Sequence, residues 1–429
     1  MVEKSVFTQN KTPFRRLTFG LVLGYVCMLI ALMTPGIMLL PFKIMEIDPE
    51  GYTTSYGLIT GISAIFGLIS MPLGGAISDR TNIAFGRRRT WILIGSIGGC
   101  ASLIGIALST SLWLVLLAVC CTQLFFGFSM AAFNALIPDQ VEEDKQGTIS
   151  GFFGLGLPVA MIVGMGTLMA MGSASSLTKW LVVAIIGVVG AIISSFIIID
   201  GKVEIQEKKV EKLTIKEKLN KVYPNPRKFP EFTWALLLKF LLMMGYFSIL
   251  YLSIMLVDRM GMDQTEASNS VGMINMIGLA GAAFASVTAG AWSDKIKKQK
   301  PFLYGSAILI ITGLLLFAYV PTLTGVIIAV AILGIGQGCF GAVDTALVAR
   351  ILPNKMDASK DFGLMNIANT LPQSLIPALA PVFLNIGGWN FFYLSLVVFV
   401  LLSMLTLRKL PEVGEKSSSD LNDKIAAYK

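Results

Sequence analysis

The sequence predicts an all-α membrane protein in which twelve transmembrane helices form two six-helix bundles. Of its 429 residues, 55 % are hydrophobic and 14 % are charged, whereas a soluble protein has about 25 % charged residues. Apolar runs long enough to cross a bilayer recur along the chain, without the alternation of apolar and polar residues that marks a membrane strand. Several short motifs of the first half also recur in the second half.

The first six spans are predicted from apolar runs of about 20 residues, the length that crosses a bilayer as a helix. A basic segment with Lys4, Lys11, Arg15 and Arg16 precedes the first run. That run is too long for the apolar part of a signal peptide, so we expect it to be retained as span 1. Spans 1 to 6 are placed at residues 17–41, 56–77, 91–109, 112–137, 147–171 and 180–200.

The second six spans follow a long polar stretch. They are placed at residues 233–257, 267–292, 301–319, 322–351, 361–386 and 388–408. Helices suit so many crossings because a helix pairs its backbone groups within the segment. Twelve spans need about 240 residues, so the chain has no room for a large soluble domain.

Lys and Arg residues are distributed unequally between alternate loops. Of the 34, 30 lie on one side and three, Lys43, Lys179 and Arg259, lie on the other. Cytoplasmic loops carry the excess of Lys and Arg, so we expect both termini in the cytoplasm. The expected location is the cell membrane, taken as a bacterial plasma membrane.

One long connection divides the spans six and six. It contains a mixed-charge stretch from Lys202 to Lys221 and then a Tyr-Pro-Asn-Pro turn, which predicts an amphipathic helix on the membrane surface followed by a stiff turn. We therefore predict an N-terminal bundle at residues 1–200, a cytoplasmic linker at 201–232, a C-terminal bundle at 233–408 and a disordered cytoplasmic tail at 409–429.

The two halves share an internal repeat. The motif GAISD at residues 75–79 recurs as GAWSD at residues 290–294, and Pro138 recurs as Pro353, both at an offset of 215 residues. Leu157-Pro158 matches Leu371-Pro372 at an offset of 214. Such constancy over three segments indicates duplication of a six-helix unit. A parallel repeat of this kind lets two bundles rock about a site near the bilayer midplane.

The motifs resemble those of the major facilitator superfamily over roughly residues 15–408. They are GAISDR at residues 75–80, GRRRTW at 86–91 after a longer loop than usual, NALIPD at 134–139 and KDFGLMN at 360–366. The lengthened form resembles the glycoside/sugar:cation symporter and sucrose-transporter-like branch. The resemblance implies the major facilitator fold, in which spans 1, 4, 7 and 10 line a cavity.

Charged residues at the ends of spans 2 and 8 are candidate gating residues. A carboxylate there can cap a nearby helix N-terminus or pair with arginine, and the resemblance implies a gate that breaks when the halves rock. The alternative is a solvated loop acid beside arginines that set topology. The gating candidates are Asp79, Arg80, Arg87, Arg88, Arg89 and, with a weaker lysine set, Asp294.

Asp344 is the candidate proton carrier. It lies about eight residues inside span 10, roughly 12 Å deep at a rise of 1.5 Å per residue, where a carboxylate must be protonated, paired or facing water. Lys239 lies at a similar depth in span 7, and the resemblance places both spans at the cavity. A static ion pair or a packing hydrogen bond is the alternative for Asp344, and snorkelling to the interface is the alternative for Lys239.

Uncharged polar and aromatic residues are the candidate substrate contacts. Amides donate and accept hydrogen bonds together, which suits ligands rich in hydroxyl groups, and aromatic rings stack on a sugar face. Interhelical hydrogen bonds and ordinary packing are the alternatives. The candidates are Tyr25, Gln123, Phe126, Asn134, Tyr246, Gln337, Phe340, Asn366, Asn369 and Gln373.

Composition excludes several classes of chemistry. The chain contains no histidine, so histidine relays, Ser-His-Asp systems and histidine metal sites are impossible. The five cysteines lie in apolar runs without metal-site spacing and are interpreted as packing residues. The net charge of +8 comes from dispersed loop residues, which indicates the lipid bilayer and not nucleic acid as a partner. We expect no enzyme activity, cofactor or metal.

The sequence therefore predicts a secondary active transporter that moves a small polar solute, a sugar or glycoside, by alternating access. The coupling ion is a proton, with sodium as the other possibility, and we expect a monomer. The first alternative is a proton-coupled exporter of a drug or amphipathic metabolite. The second is a sensor or scaffold that has a transporter fold but does not transport.

Overall fold

The computed structural model describes residues 12–172, 174–200, 229–296, 298–351 and 358–410. Every regular element in these ranges is a helix, and eleven helical segments are long and apolar enough to cross a membrane. The first half contains α1 (Phe14–Met38), α2 (Leu40–Ile47), α3 (Tyr52–Arg80), α4 (Arg87–Leu108), α5 (Leu112–Gln140), α6 (Glu143–Ala170) and α7 (Ser176–Ile197). The second half contains α8 (Pro230–Tyr246), α9 (Leu252–Asp258), α10 (Gln264–Ile296), α11 (Lys300–Tyr319), α12 (Leu323–Ile351) and α13 (Ala358–Leu407).

Predicted spans 11 and 12 form the single long element α13. Its backbone leaves the helical region only at Gly387 and Gly388, and Gly388 has a φ of +66°. Glycine adopts a positive φ without the steric cost that a Cβ brings, so two residues replace a loop. The eleven segments thus account for the twelve predicted spans, and the all-α fold class is confirmed.

Predicted span 7 is interrupted, which the sequence did not indicate. A 3-10 turn at Phe247–Tyr251 separates α8 from α9. Gly245 precedes this turn at a point where an added Cβ would collide with the side chain of Val400. The hydroxyl of Tyr251 donates to the carbonyl oxygen of Pro377 over 3.1 Å and fixes the turn against α13.

The chain forms two compact units. One consists of Met1–Lys209 with Asp263–Gly272, and the other of Val210–Met262 with Met273–Lys429. The predicted amphipathic helix and the predicted disordered tail fall on residues 201–228 and 411–429, which lie outside the described residues, so both stay predictions.

Small residues allow the helices of the first unit to approach closely. An added Cβ at Gly95 would lie 2.5 Å from the carbonyl oxygen of Phe125 on α5. All five cysteines are free, and the thiol of Cys100 lies 2.8 Å from the position of an added Cβ at Gly187. Close backbone approach through small residues is a main source of association between membrane helices.

Two aspartates at an offset of 215 residues, Asp48 and Asp263, add a landmark to the repeat that was not predicted from the sequence. The carboxylate of Asp48 accepts a hydrogen bond from the Gly51 amide over 2.9 Å at the start of α3. The carboxylate of Asp263 accepts one from the Thr265 amide over 3.0 Å at the start of α10. Both side chains satisfy amides that a helix N-terminus leaves unpaired.

In the second unit, α10 and α12 cross in backbone contact. Gly334 faces the carbonyl oxygen of Gly278, and Gly338 faces that of Ala282, so closely that an added Cβ would collide with the oxygen. The four positions form a small-residue pair on each helix, at a spacing of four residues. A Cβ at Gly334 or Gly338 would therefore force α12 away from α10.

Replacing Gly338 by Ala should therefore destabilise the second unit. The added methyl group meets backbone oxygen, which cannot rotate away, so we expect a loss of about 1–3 kcal/mol, typical of overpacking, and a lower unfolding temperature in detergent. Gly341→Ala is the matched control, because nothing lies within 4 Å of its added Cβ. Equal unfolding temperatures for the two variants would contradict the close crossing.

Candidate functional site

A buried ion pair lies in the second unit, within the apolar part of the bundle. Lys239 on α8 and Asp344 on α12 lie with Nζ and Oδ2 2.6 Å apart. Each side chain is only 11 % exposed. Their positions within spans 7 and 10 predicted a similar depth in the membrane for the two residues. The packing of α8 against α12 brings them into contact.

Two further polar residues share the faces that carry the pair. Tyr246 follows Lys239 by seven residues on α8, and Gln337 precedes Asp344 by seven residues on α12. Residues seven apart share a helix face, about 10 Å along the axis. Since spans 7 and 10 run in opposite directions, both residues lie on the same side of the pair.

Gln337 is one of six described residues with a buried side-chain polar atom that lacks a hydrogen-bond partner, and it lies on the face of α12 that carries Asp344. Its Oε1 atom is buried, and among the described residues no group donates a hydrogen bond to it. A buried amide oxygen without a donor costs about 1–3 kcal/mol. Water or a bound hydroxyl group is therefore the natural partner for this atom.

The other predicted contacts of the second unit differ in exposure. Phe340 is 2 % exposed and packs within the bundle. Asn369 is half-buried and Gln373 is exposed on α13. The side chain of Asn366 lies outside the described part of the structure.

In the first unit, Tyr25 belongs to an aromatic cluster. Its ring stacks on Phe153 at 4.3 Å between centroids and meets Phe133 edge-on at 6.1 Å. Phe153, which lies between Gly151 and Gly154 near the start of span 5, was not predicted as a substrate contact. The three rings lie on α1, α5 and α6, and Phe133 is fully buried.

The remaining candidates on α5 face different neighbours. The side chain of Gln123 lies 3.7 Å from an added Cβ at Gly67, and Asn134 is half-buried. Phe126 is fully buried, with its ring 2.8 Å from an added Cβ at Gly99. This placement favours packing between α4 and α5 as the role of Phe126.

The first unit carries a network of acids and arginines at the ends of α3, α4 and α5. Nη2 of Arg88 lies 2.7 Å from Oδ1 of Asp79, and its Nε lies 2.8 Å from Oδ2 of Asp139. Arg87 also reaches Oδ2 of Asp139, at 2.8 Å. The Arg88 side chain is 6 % exposed, whereas that of Asp79 is 60 % exposed. Asp139 therefore holds the two arginines from the more protected side.

Asp200 caps the helix that carries these arginines. Its Oδ2 accepts hydrogen bonds from the backbone amides of Arg88 over 2.7 Å and Arg89 over 3.3 Å. Gly86 before them has a φ of +113°, and an added Cβ there would lie 2.6 Å from the same oxygen. A carboxylate at a helix N-terminus satisfies unpaired amides and opposes the positive end of the helix dipole.

Two acids of this network, Asp139 and Asp200, were not predicted as functional residues. Each follows the apolar part of a span, and that position was the available signal. Arg89 stacks over the ring of Phe85 at 4.2 Å, and Arg80 is exposed. The side chain of Asp294 lies outside the described residues, so its gating role stays a prediction.

The two charge clusters permit different chemistry. The buried pair combines one carboxylate with one ammonium group, an arrangement that takes up or releases a proton by exchanging partners. The network distributes three carboxylates around consecutive arginines and one helix end. Among the described residues, no group of three or more Cys, Asp or Glu side chains is arranged to hold a metal ion.

Comparisons with known proteins give the family. The sequence model of the Major Facilitator Superfamily matches residues 21–355 and 267–427, and no curated protein matches the sequence. The fold is similar to that of a bacterial homologue of the human lysosomal transporter Spinster, with a TM-score of 0.69 and 15 % identity over 93 % of this chain and 97 % of that one. It is also similar to a mutant of the nucleoside transporter NupG, with a TM-score of 0.69 and 14 % identity over 92 % of this chain and 99 % of that one. The chain therefore belongs to the Major Facilitator Superfamily of membrane transporters.

Proposed function

We propose that the protein is a proton-coupled secondary transporter for a small polar solute, a sugar or glycoside, with Lys239 and Asp344 as the coupling pair. Membrane transport by alternating access follows from the family. The observation that carries the coupling proposal is the 2.6 Å contact between two largely buried charges of opposite sign.

The pair suits coupling because its parts are stable only together. Removing one partner from a buried ion pair leaves an uncompensated charge, at a cost of about 3–5 kcal/mol. A proton that neutralises Asp344 therefore leaves the ammonium group of Lys239 without its charged acceptor. Oxygen atoms of a bound solute and of water satisfy that need, so protonation and solute binding favour each other.

The proposed cycle has four steps. A proton from the outer side neutralises Asp344, the solute binds, the halves rock, and the solute and proton leave to the cytoplasm. Each ligand shifts the equilibrium only by its differential affinity for the two states. The re-formed ion pair returns the empty protein to its resting charge distribution.

Neutral polar residues on α8, α12 and α13 are the proposed solute contacts of the second unit. Gln337 offers an oxygen without a donor, Tyr246 offers a hydroxyl on the neighbouring face, and Asn369 adds an amide. Hydroxyl-rich ligands supply both donors and acceptors to such groups. In the first unit, the stacked rings of Tyr25 and Phe153 are a separate proposed contact for an apolar sugar face or an aglycone.

The network of Asp79, Arg87, Arg88, Asp139 and Asp200 is the proposed gate. Charge-assisted hydrogen bonds are stronger than neutral ones, and a network at a span end stabilises one arrangement of the helices. The gate and the coupling pair are chemically separate, so their variants should have separable effects.

An exporter of amphipathic compounds is the competing function. The aromatic cluster at Tyr25 favours ring-bearing substrates in general, and NupG, of similar fold, is by its name a nucleoside transporter. A substrate panel should therefore include sugars, aryl glycosides, nucleosides and hydrophobic cations. Accumulation of the cations alone in inside-out vesicles would favour export.

Asp344→Asn should abolish accumulation driven by a pH gradient. The amide keeps the size of the side chain but cannot release a proton, so we expect solute exchange to continue while concentrative uptake into proteoliposomes falls at least tenfold. Asp263→Asn removes an exposed capping carboxylate and serves as control, with uptake expected near the level of the native protein.

Concentrative uptake by Asp344→Asn at the native rate would overturn the coupling assignment. The same experiment with a sodium gradient separates the two ions. Uptake that follows sodium and ignores pH would contradict proton coupling while leaving transport intact, and no flux of any panel member would favour the sensor or scaffold.

Neutralising one member of the pair should cost more stability than neutralising both. We expect Lys239→Gln alone to lower the free energy of unfolding by about 3–5 kcal/mol, and the double variant Lys239→Gln with Asp344→Asn to recover most of the loss. Thermal unfolding in detergent measures this double-mutant cycle. Additive losses would indicate that the two charges do not depend on each other.

A further inference from the structure

A buried threonine in the first unit forms hydrogen bonds with the end of α5 and with the residues that follow α7. Thr12 precedes α1 and is 4 % exposed. Its hydroxyl donates to Oε1 of Gln140 over 2.8 Å and accepts from the backbone amide of Ile199 over 2.9 Å. Nε2 of Gln140 donates to the carbonyl oxygen of Ile199 over 2.8 Å. These three residues form the Thr12 clasp.

The clasp is adjacent in sequence to both acids that the sequence analysis missed. Gln140 directly follows Asp139, and Ile199 directly precedes Asp200. Asp139 holds the side chains of Arg87 and Arg88, whereas Asp200 holds the backbone at the start of α4. The clasp therefore connects the two chain segments whose aspartates bind the start of α4.

We propose that Thr12 is a positioning residue of the gate, which acts by holding Asp139 and Asp200 at the separation that α4 requires. This inference rests on the proposed gating role of the network, and it is independent of proton coupling and of the identity of the solute.

The hydrogen bonds around Asp139 and Asp200 indicate that Thr12 positions these two acids. Thr12 does more than attach the start of α1 to the rest of the unit. One oxygen of Asp139 serves two arginines, and one oxygen of Asp200 serves two consecutive amides. Such shared contacts weaken steeply when the acceptor moves. The clasp is the hydrogen-bonded connection between the residue after Asp139 and the residue before Asp200, so its loss lets both acceptors shift.

The test compares hydroxyl-deleting and hydroxyl-retaining variants of the full-length protein. Thr12→Val keeps the shape and removes the hydroxyl, Thr12→Ser keeps the hydroxyl, and Gln140→Leu breaks the clasp from the other side. Thr18→Val is the matched control, because the Thr18 hydroxyl donates within α1, to the carbonyl oxygen of Phe14, and takes no part in the Thr12 clasp. Hydrogen exchange of the Arg88 and Arg89 amides is the readout, since these amides donate to Asp200.

We expect Thr12→Val and Gln140→Leu to accelerate exchange of these two amides about fivefold, the effect of losing a helix cap, without changing exchange in α8 and α12. Thr12→Ser and Thr18→Val should exchange like the native protein. On an Asp200→Asn background, Thr12→Val should add little, because the contact through which it acts is already lost.

A lower unfolding temperature for Thr12→Val with unchanged exchange at Arg88 and Arg89 would overturn the proposal. Full additivity with Asp200→Asn would do the same, because it would show that Thr12 stabilises the protein without acting through that acid. If Thr12→Val does not fold, the same two criteria apply to Gln140→Leu.

Discussion

Hydrocarbon does not solvate charge, and this constraint organises the polar part of the protein. A lysine and an aspartate persist at the depth of Lys239 and Asp344 because each compensates the other at 2.6 Å. The contact also makes each residue sensitive to the state of its partner. Because the membrane interior requires the two charges to be paired, the charge state of each residue depends on the other. Any process that neutralises one of them must supply a new partner for the other.

The two halves share a repeat but divide the charges between them. At the offset of 215 residues, Lys239 corresponds to Gly24 and Asp344 to Ser129. Gly24 packs against Ser194 and Phe133, and the hydroxyl of Ser129 lies 3.0 Å from that of Ser96. The first unit therefore uses these positions for helix packing, and the second uses them for an ion pair.

The first unit concentrates its described charges at helix ends, where water and helix dipoles reduce their cost. Arg88 is the centre of this arrangement, with two carboxylates on its side chain and a third on its backbone amide. Exposed charges contribute little individually. Here the protected contacts to Asp139 and the cap by Asp200 join three segments that come from distant parts of the sequence: the start of α4, the end of α5 and the residues after α7.

The sequence by itself determined the properties that depend on local composition. Hydropathy predicted the spans, the offset of motifs predicted the duplication, and depth within a span singled out Lys239 and Asp344. The all-α class was confirmed, and eleven helical segments account for the twelve predicted spans, because apolar length is a local property of the sequence. The break in span 7 escaped this reasoning, because a short 3-10 turn leaves the hydropathy of the run unchanged.

Only the tertiary structure decided which side chains meet. Arg88 and Asp139 are 51 residues apart, Arg88 and Asp200 are 112 apart, and Lys239 and Asp344 are 105 apart. No local pattern encodes such pairings, because they depend on the order and rotation of packed helices. For the same reason, the role of Thr12 could not be predicted from the sequence. Its hydroxyl acquires its partners Gln140 and Ile199 only when the helices pack.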